Sequence, residues 1–278
     1  MIILAHDGSL YGDWVARYAL RFTAGEQDKK LLVLHVQDGQ TSREMVTAKF
    51  AQLVAEGETL GIDILPQLLP LGTNVYRSLR QAIPHDPAAL LICGTRVKPK
   101  RQALLSGSVA EQLLRTHQCP VLALRVVQPG LLGTPQELLL PLAGHVGGFA
   151  RIWPIFRRLA PNLRRVHLFR TFYVHQLRQA HLSPVRERML LAIGHDYLAK
   201  ITAEMNDFCD AEKLYIEQLT SISSDWPNAV LVQASRLRAQ MILLGVSERS
   251  LAHRVLHGVG LEQVLREASC DVGIYRGP

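Results

Sequence analysis

One long stretch of this chain lacks acidic residues. From Leu138 to Arg186 there are eight arginines (151, 157, 158, 164, 165, 170, 178 and 186), no lysine, and no Asp or Glu. That segment carries +8 in a chain whose net charge is +7, so the remainder is nearly neutral. A local excess of this kind attracts nucleic acid, acidic protein surface or anionic lipid. Aromatic residues are sparse, at 6%. Trp153, Phe156, Phe169, Phe172 and Tyr173 fall at core spacings instead of interleaving with the arginines. A single-strand stacking surface is therefore disfavoured, and an acidic protein partner at 151–186 is the expectation. Cysteine is scarce too: four, at 93, 119, 209 and 270, without metal-ligand spacing. No apolar run approaches the roughly 18 residues of a helical membrane span. Met1-Ile-Ile-Leu-Ala-His-Asp7 lacks the basic start of a signal peptide, so a cytoplasmic location is expected. Gly-x-Ser-x-Gly, the Walker glycine loop and His-Glu-x2-His are all missing. Eleven histidines are present, but His167, His175 and His181, like His253 and His257, show no partner acids or thiols in sequence. These absences predict a protein that is not an enzyme and holds no metal.

What is present is a repeat. Gly107–Arg125 recurs as Gly258–Arg276 at a shift of 151 residues without a gap. Glu111/Glu262, Gln112/Gln263, Leu114/Leu265, Arg115/Arg266, Cys119/Cys270, Val121/Val272 and Arg125/Arg276 are identical, and Leu91–Gly94 aligns with Ile242–Gly245. A unit this long is a domain, not a solenoid repeat. Residues 1–128 and 136–278 are read as two homologous domains, joined by a Pro- and Gly-rich linker at 129–135. Cys119 and Cys270 hold equivalent places before a strand, which suggests packing.

The first half alternates buried strand and helix. Strands are expected at Ile2–Asp7, Leu31–Val36, Ile62–Leu69, Ala88–Cys93 and Val121–Val126. Helices fall between them, marked by Trp14, Val15, Tyr18, Ala19 and Phe22, by Val46, Phe50, Leu53, Val54 and Leu60, by Val75, Leu79, Ala82 and Ile83, and at Val109–Arg115. The second half restarts with strands at Glu137–Leu142, Arg165–Phe172, Leu214–Leu219, Met241–Gly245 and Val272–Arg276. A helix runs through Trp153, Phe156 and Leu159. A long one presents Leu190, Ile193, Tyr197, Ile201, Met205 and Phe208 on one face, and Val230–Leu237 is taken as helical between the last two strands. The fold class is α/β: two tandem, doubly wound, five-stranded parallel sheets.

Gly94-Thr-Arg-Val97, nine residues, and then Gly107-Ser108 opening a helix form the most informative local pattern. A glycine at a strand's C-terminal end lets a phosphate approach the backbone, and a helix start offers free N–H groups. Ser108-Val-Ala-Glu111 also reads as a capping box.

With Ala5-His6-Asp7-Gly8-Ser9 closing the first strand, Leu34-His35-Val36 in the second and Cys119–Arg125 as the closing strand, the chain resembles a tandem universal stress protein over nearly its whole length. The resemblance implies a stress-response protein with an ATP or related adenine-nucleotide site of pattern Gly-x2-Gly-x9-Gly-Ser/Thr. It implies Asp7 and Val36 at the adenine and ribose end, with Gly94, Val97, Gly107, Ser108 and Val109 around the ribose and phosphates. Val97 stands where that pattern has its second glycine, and Lys98, Lys100 and Arg101 share the loop. In the second domain the place of Asp7 falls near Ala143-Gly144, Glu248 replaces the second glycine, and Gly258-Val259 lacks the hydroxyl. A degenerate second site follows, since a carboxylate repels phosphate. The competing expectation is a nucleotide-independent scaffold with both sites degenerate. Pairing of the two domains as a pseudo-dimer, and of two chains as a homodimer, completes the expectations.

Overall fold

Short apolar runs bounded by turn residues become buried strands. The computed structural model describes residues 1–95, 108–116, 118–144, 148–176, 181–208, 214–246 and 259–277. The chain divides into two compact units, Met1–Thr134 forming the body of the first and Pro135–Gly245 that of the second.

The first unit contains β1 (Ile2–Ala5), α1 (Leu10–Ala24), β2 (Lys30–Gln37), α2 (Arg43–Thr59), β3 (Asp63–Pro70), α3 (Val75–Ala82), β4 (Leu90–Gly94), α4 (Val109–Leu114) and β5 (Val121–Arg125). The strand order is β3-β2-β1-β4-β5, and the pairs β3–β2, β2–β1, β1–β4 and β4–β5 are all parallel. Ile2, Ile3, Leu4, Val33, Leu34 and Leu90 to Ile92 are wholly buried, because helices cover both faces of the central strands. β3 lies at the edge, where Pro66 and Pro70 cost no central ladder bond. α2 buries Val46, Phe50, Leu53 and Gly57, leaving Val54 and Leu60 part-exposed. Gly61, at φ +67°, turns the chain from α2 into β3.

The segment at 129–135 is laid against α1. It holds a 3-10 turn at Pro129–Leu131, and a Cβ on Gly133 would lie 2.8 Å from the backbone of Arg17 and Tyr18.

The second unit contains β6 (Glu137–Pro141), α5 (Gly148–Leu159), β7 (Arg165–Tyr173), α6 (Pro184–Phe208), β8 (Tyr215–Ser223), α7 (Trp226–Arg236), β9 (Met241–Gly245), α8 (Val259–Glu267) and β10 (Asp271–Arg276). Its order, β10-β9-β6-β7-β8, repeats that of the first unit. β1 and β6 begin 135 residues apart, as do β2 and β7, whereas β3 and β8 begin 152 apart and β4 and β9 151 apart. The extra residues of the second unit therefore lie between β7 and β8. There α6 has 25 residues against the 17 of α2.

Two expectations need correction. The helix expected at Val230–Leu237 is α7 and precedes β9; α8 is the helix between β9 and β10. The buried face of α6 is Gly194, Leu198, Ile201 and Met205, while Ile193 is 47% exposed. The cause is a close approach: a Cβ on Gly194 would lie 2.7 Å from Thr220 Cγ2 and 2.9 Å from Phe172 Cε2. Contact with β7 and β8 at the one residue without a side chain sets the rotation of the helix. Among the described residues, no helix is long and apolar enough to cross a membrane.

Candidate functional site

In the first unit the chain steps outward from β1 to β2 and β3, then returns to the far side of β1 for β4 and β5. Strand order reverses between β1 and β4, and such a switch point opens a crevice at the strands' C-terminal ends. Asp7 follows β1 there, Val36 is the penultimate residue of β2 and Gly94 the last of β4. Ser108 and Val109 begin α4, which leads into β5. Val97, Gly107, Lys98, Lys100 and Arg101 lie outside the described residues.

Asp7 holds the turn after β1. Its Oδ1 accepts from Ser9 N–H at 2.9 Å and from the Ser9 hydroxyl at 2.6 Å. Ser9 Oγ in turn accepts from Gly12 N–H at 3.1 Å and caps α1, so a carboxylate stands at the positive end of that helix. Gly8 passes through φ +78°, and a Cβ on Gly12 would lie 2.6 Å from Asp7 Oδ1 and 3.0 Å from the His6 ring.

Beneath this turn sits a network that sequence reasoning missed. His6, 5% exposed, accepts from Gly8 N–H through Nδ1 at 2.9 Å. That contact assigns the ring proton to Nε2, 3.1 Å from Asp13 Oδ1. Asp13 also pairs with Lys49 of α2. Burial alone would raise the Asp13 carboxyl, but hydrogen bonds from His6 and Lys49 and the charge of Lys49 hold it below its ordinary value. His35 donates from Nδ1 to the His6 carbonyl at 2.9 Å. The Phe50 ring stands edge-on to both imidazoles, at 5.7 Å from His6 and 6.3 Å from His35. Only the fold joins positions 6, 13, 35 and 49, so no local sequence pattern announced them.

The remaining predicted residues have tertiary roles of their own. A Cβ on Gly94 would lie 3.3 Å from the Tyr11 ring, so the glycine makes room for Tyr11, whose hydroxyl accepts from Val126 N–H at 2.7 Å. Val36 is 5% exposed, and its carbonyl accepts from Asp38 N–H at 2.9 Å. Ser108 caps α4, its Oγ accepting from Glu111 N–H at 3.1 Å, while Glu111 pairs with Arg115 at 2.9 Å.

At the corresponding edge of the second unit, among the described residues, Arg170 and Trp226 stand against glycines. Gly144, at φ +84°, repeats Gly8, and Ala143 precedes it where Asp7 stands in the first unit. Arg170 is the sixth residue of β7, as His35 is of β2. Its side chain covers Gly144, and its guanidinium lies 4.7 Å from the Phe172 ring centre and 4.6 Å from that of Tyr197. Burial pushes the Tyr197 hydroxyl above its ordinary value, against the opposing charge of Arg170. The Trp226 indole abuts Gly260 in the first turn of α8, 2.7 Å from a Cβ placed there. Glu248 and Gly258 lie outside the described residues, as does the side chain of Val259.

His167 has the partner acids that its sequence neighbourhood lacks. Nδ1 lies 2.7 Å from Glu217 and Nε2 3.2 Å from Glu137, contributed by the two flanking strands. Both ring nitrogens are thereby engaged. Among the described residues no group of three His, Cys, Asp or Glu is placed to hold a metal ion; His253, His257 and Cys209 are outside them. Cys93, Cys119 and Cys270 are buried. Burial pushes the Cys93 thiol up to about 12 and the Cys119 thiol up to about 11.

The arginines of 151–186 do not form one surface. Arg158 is 8% exposed, its Nη1 donating to the Pro154 carbonyl at 2.6 Å, and Arg170 is stacked on its aromatics. Arg157, Arg164 and Arg165 lie where α5 ends and β7 begins, whereas Arg151 opens α5 and Arg186 opens α6, at the opposite edge of the sheet. Arg178 is outside the described residues.

Fold and edge together define a doubly wound α/β protein of two units, with a topological switch point between β1 and β4 of the first. Residues 1–125 match the family model of the universal stress protein family. A staphylococcal protein assigned to the universal stress proteins (Staphylococcus saprophyticus) is 28% identical over 141 residues, 45% of this chain and 82% of the relative. A Pseudomonas aeruginosa structure of universal stress type superposes with a TM-score of 0.63 at 18% identity, covering 99% of this chain and 92% of the other. A universal stress protein from Archaeoglobus fulgidus gives 0.59 at 16% identity, covering 98% and 95%. The two structures show the shared fold over both units, and the likeness to the universal stress protein family model lies in residues 1–125.

Proposed function

We propose that this stress-response protein binds ATP or a related adenine nucleotide in its first unit alone, and does so without catalysis. The observation that carries the reading is the reversal of strand order between β1 and β4, with the Asp7–Ser9 turn and the end of β4 at that switch point, where such folds bind ligands. Asp7 and Val36 stand at the adenine and ribose end, and Gly94, Gly107, Ser108 and Val109 surround the ribose and phosphates. Lys98, Lys100 and Arg101 supply charge in the loop where Val97 replaces a glycine. The second unit offers no carboxylate at Ala143, and Arg170 and Trp226 occupy its edge. Thiols held protonated by burial are poor nucleophiles, which fits a protein that binds without turnover.

Native mass spectrometry of protein purified from cells tests this directly, with one nucleotide per chain expected. Ser108→Ala combined with Gly107→Val abolishes binding in an ATP titration, since the pair removes a hydroxyl and crowds the phosphate-facing amides. Substitution at Gly258 and Val259 leaves affinity unchanged. Equal loss from both sets would assign the units' roles wrongly. Absence of nucleotide throughout would favour a nucleotide-independent scaffold, the reading supported by the commitment of Asp7 Oδ1 to Ser9 and by the seating of Tyr11 on Gly94.

A further inference from the structure

α6 is apolar on two opposite sides. Gly194, Leu198, Ile201 and Met205 are buried within the second unit. Val185, Met189 and Ile193 are 70%, 54% and 47% exposed. They recur at every fourth residue and so form one stripe. At about 100° per residue, Met189 points about 180° away from Leu198, straight out from the unit's own core. A helix buries one apolar stripe against its own domain; a second, outward stripe marks a contact with something else. The stripe lies in the stretch between β7 and β8 that is longer than its counterpart in the first unit.

We propose that the occupant is a second copy of this chain, with α6 packed antiparallel on α6. The charges argue for it. An antiparallel register that sets Met189 of one copy against Ile193 of the other brings Arg186 opposite Asp196, and two-fold symmetry makes that pair twice. Arg186 and Asp196 are both exposed. A lipid-facing helix would carry a predominantly basic polar face, whereas an exposed acid, Asp196, seven residues on from Met189, falls on the stripe's own side of this helix. One helix pair buries little area, so the dimer is weak and concentration-dependent.

Sedimentation velocity on the full chain from about 1 to about 100 µM reads the result, over a range suited to small interfaces. The expected mass rises from 31.0 kDa towards twice that value. Met189→Asp weakens association by at least about tenfold, as loss of a central apolar contact does. Arg186→Asp weakens it, and Arg186→Asp with Asp196→Arg restores it. Far-ultraviolet circular dichroism and melting confirm that each variant folds, and these exposed positions tolerate the changes. A chain that stays monomeric, a dimer indifferent to Met189→Asp, or a charge swap that restores nothing would each overturn the proposal. So would co-sedimentation with phosphatidylserine vesicles that Met189→Asp abolishes, which would assign the stripe to a lipid surface.

Discussion

At Gly12 a methyl group decides whether the turn after β1 survives. Its Cβ would stand 2.6 Å from Asp7 Oδ1, a rigid and engaged atom, so the carboxylate or α1 must move. Alanine in a helix gains about 0.5–1 kcal/mol over glycine, but overpacking costs about 1–3 kcal/mol. Gly12→Ala therefore lowers stability and weakens nucleotide binding; an unchanged urea midpoint would show that the turn yields freely. Asp13 sets an acid limit on the same network. Its carboxyl is depressed below the ordinary 3.8 when folded, so the stability it lends is present above that value. That contribution is lost as pH falls through the folded value. Wild type is expected to lose stability faster than Asp13→Asn below about pH 4, where the unfolded carboxyl begins to take up its proton. Parallel pH–stability curves would remove Asp13 from the account.

At the scale of elements, α6 shows how one contact sets a helix's rotation. Gly194→Ala gains about 1 kcal/mol of helix propensity, yet its methyl meets Thr220 and Phe172 at 2.7 and 2.9 Å. Overpacking of about 1–3 kcal/mol is the larger effect, so a net loss is expected in thermal melts. A variant that melts higher would mean that β7 and β8 give way. The apolar residues of this helix, read as one face, were in fact two. Leu190 to Met205 at helical spacing cannot say which side meets the sheet, and Gly194, with no hydrophobic signal, was the residue that settled it. In α2 the same thing occurs at Gly57, whose missing Cβ leaves room for Ile64 of β3.

At the scale of the molecule, the described arginines of 151–186 do not act as one group. With Arg158 and Arg170 engaged internally, the exposed members divide between the two edges of the second unit. Binding to an acidic protein surface is expected to weaken steeply with salt, because counterion release dominates such contacts. Arg157→Gln, Arg164→Gln and Arg165→Gln together are expected to lower retention on an acidic resin more than Arg151→Gln with Arg186→Gln, since they form the denser cluster. Equal losses would mean that the two edges contribute alike. Tight, salt-resistant shifts of DNA or RNA would overturn the preference for a protein partner.

Composition and periodicity were enough for the α/β alternation, because each strand is a short apolar run that must be covered on both faces. Ser108 was legible as a cap, since a hydroxyl three residues before Glu111 satisfies a free N–H locally. Asp7, expected to close the first strand, lies instead in the turn after β1, where its side chain bonds within two positions. Contacts between distant residues were decided only by the tertiary structure. His6 and Lys49 both reach Asp13, Tyr11 settles on Gly94, and Arg170 closes over Gly144 because the fold places them together. Glycine hides such contacts from sequence: what matters at Gly12, Gly94 and Gly194 is the neighbour that fills the absent side chain's space, and only the packed chain supplies that neighbour.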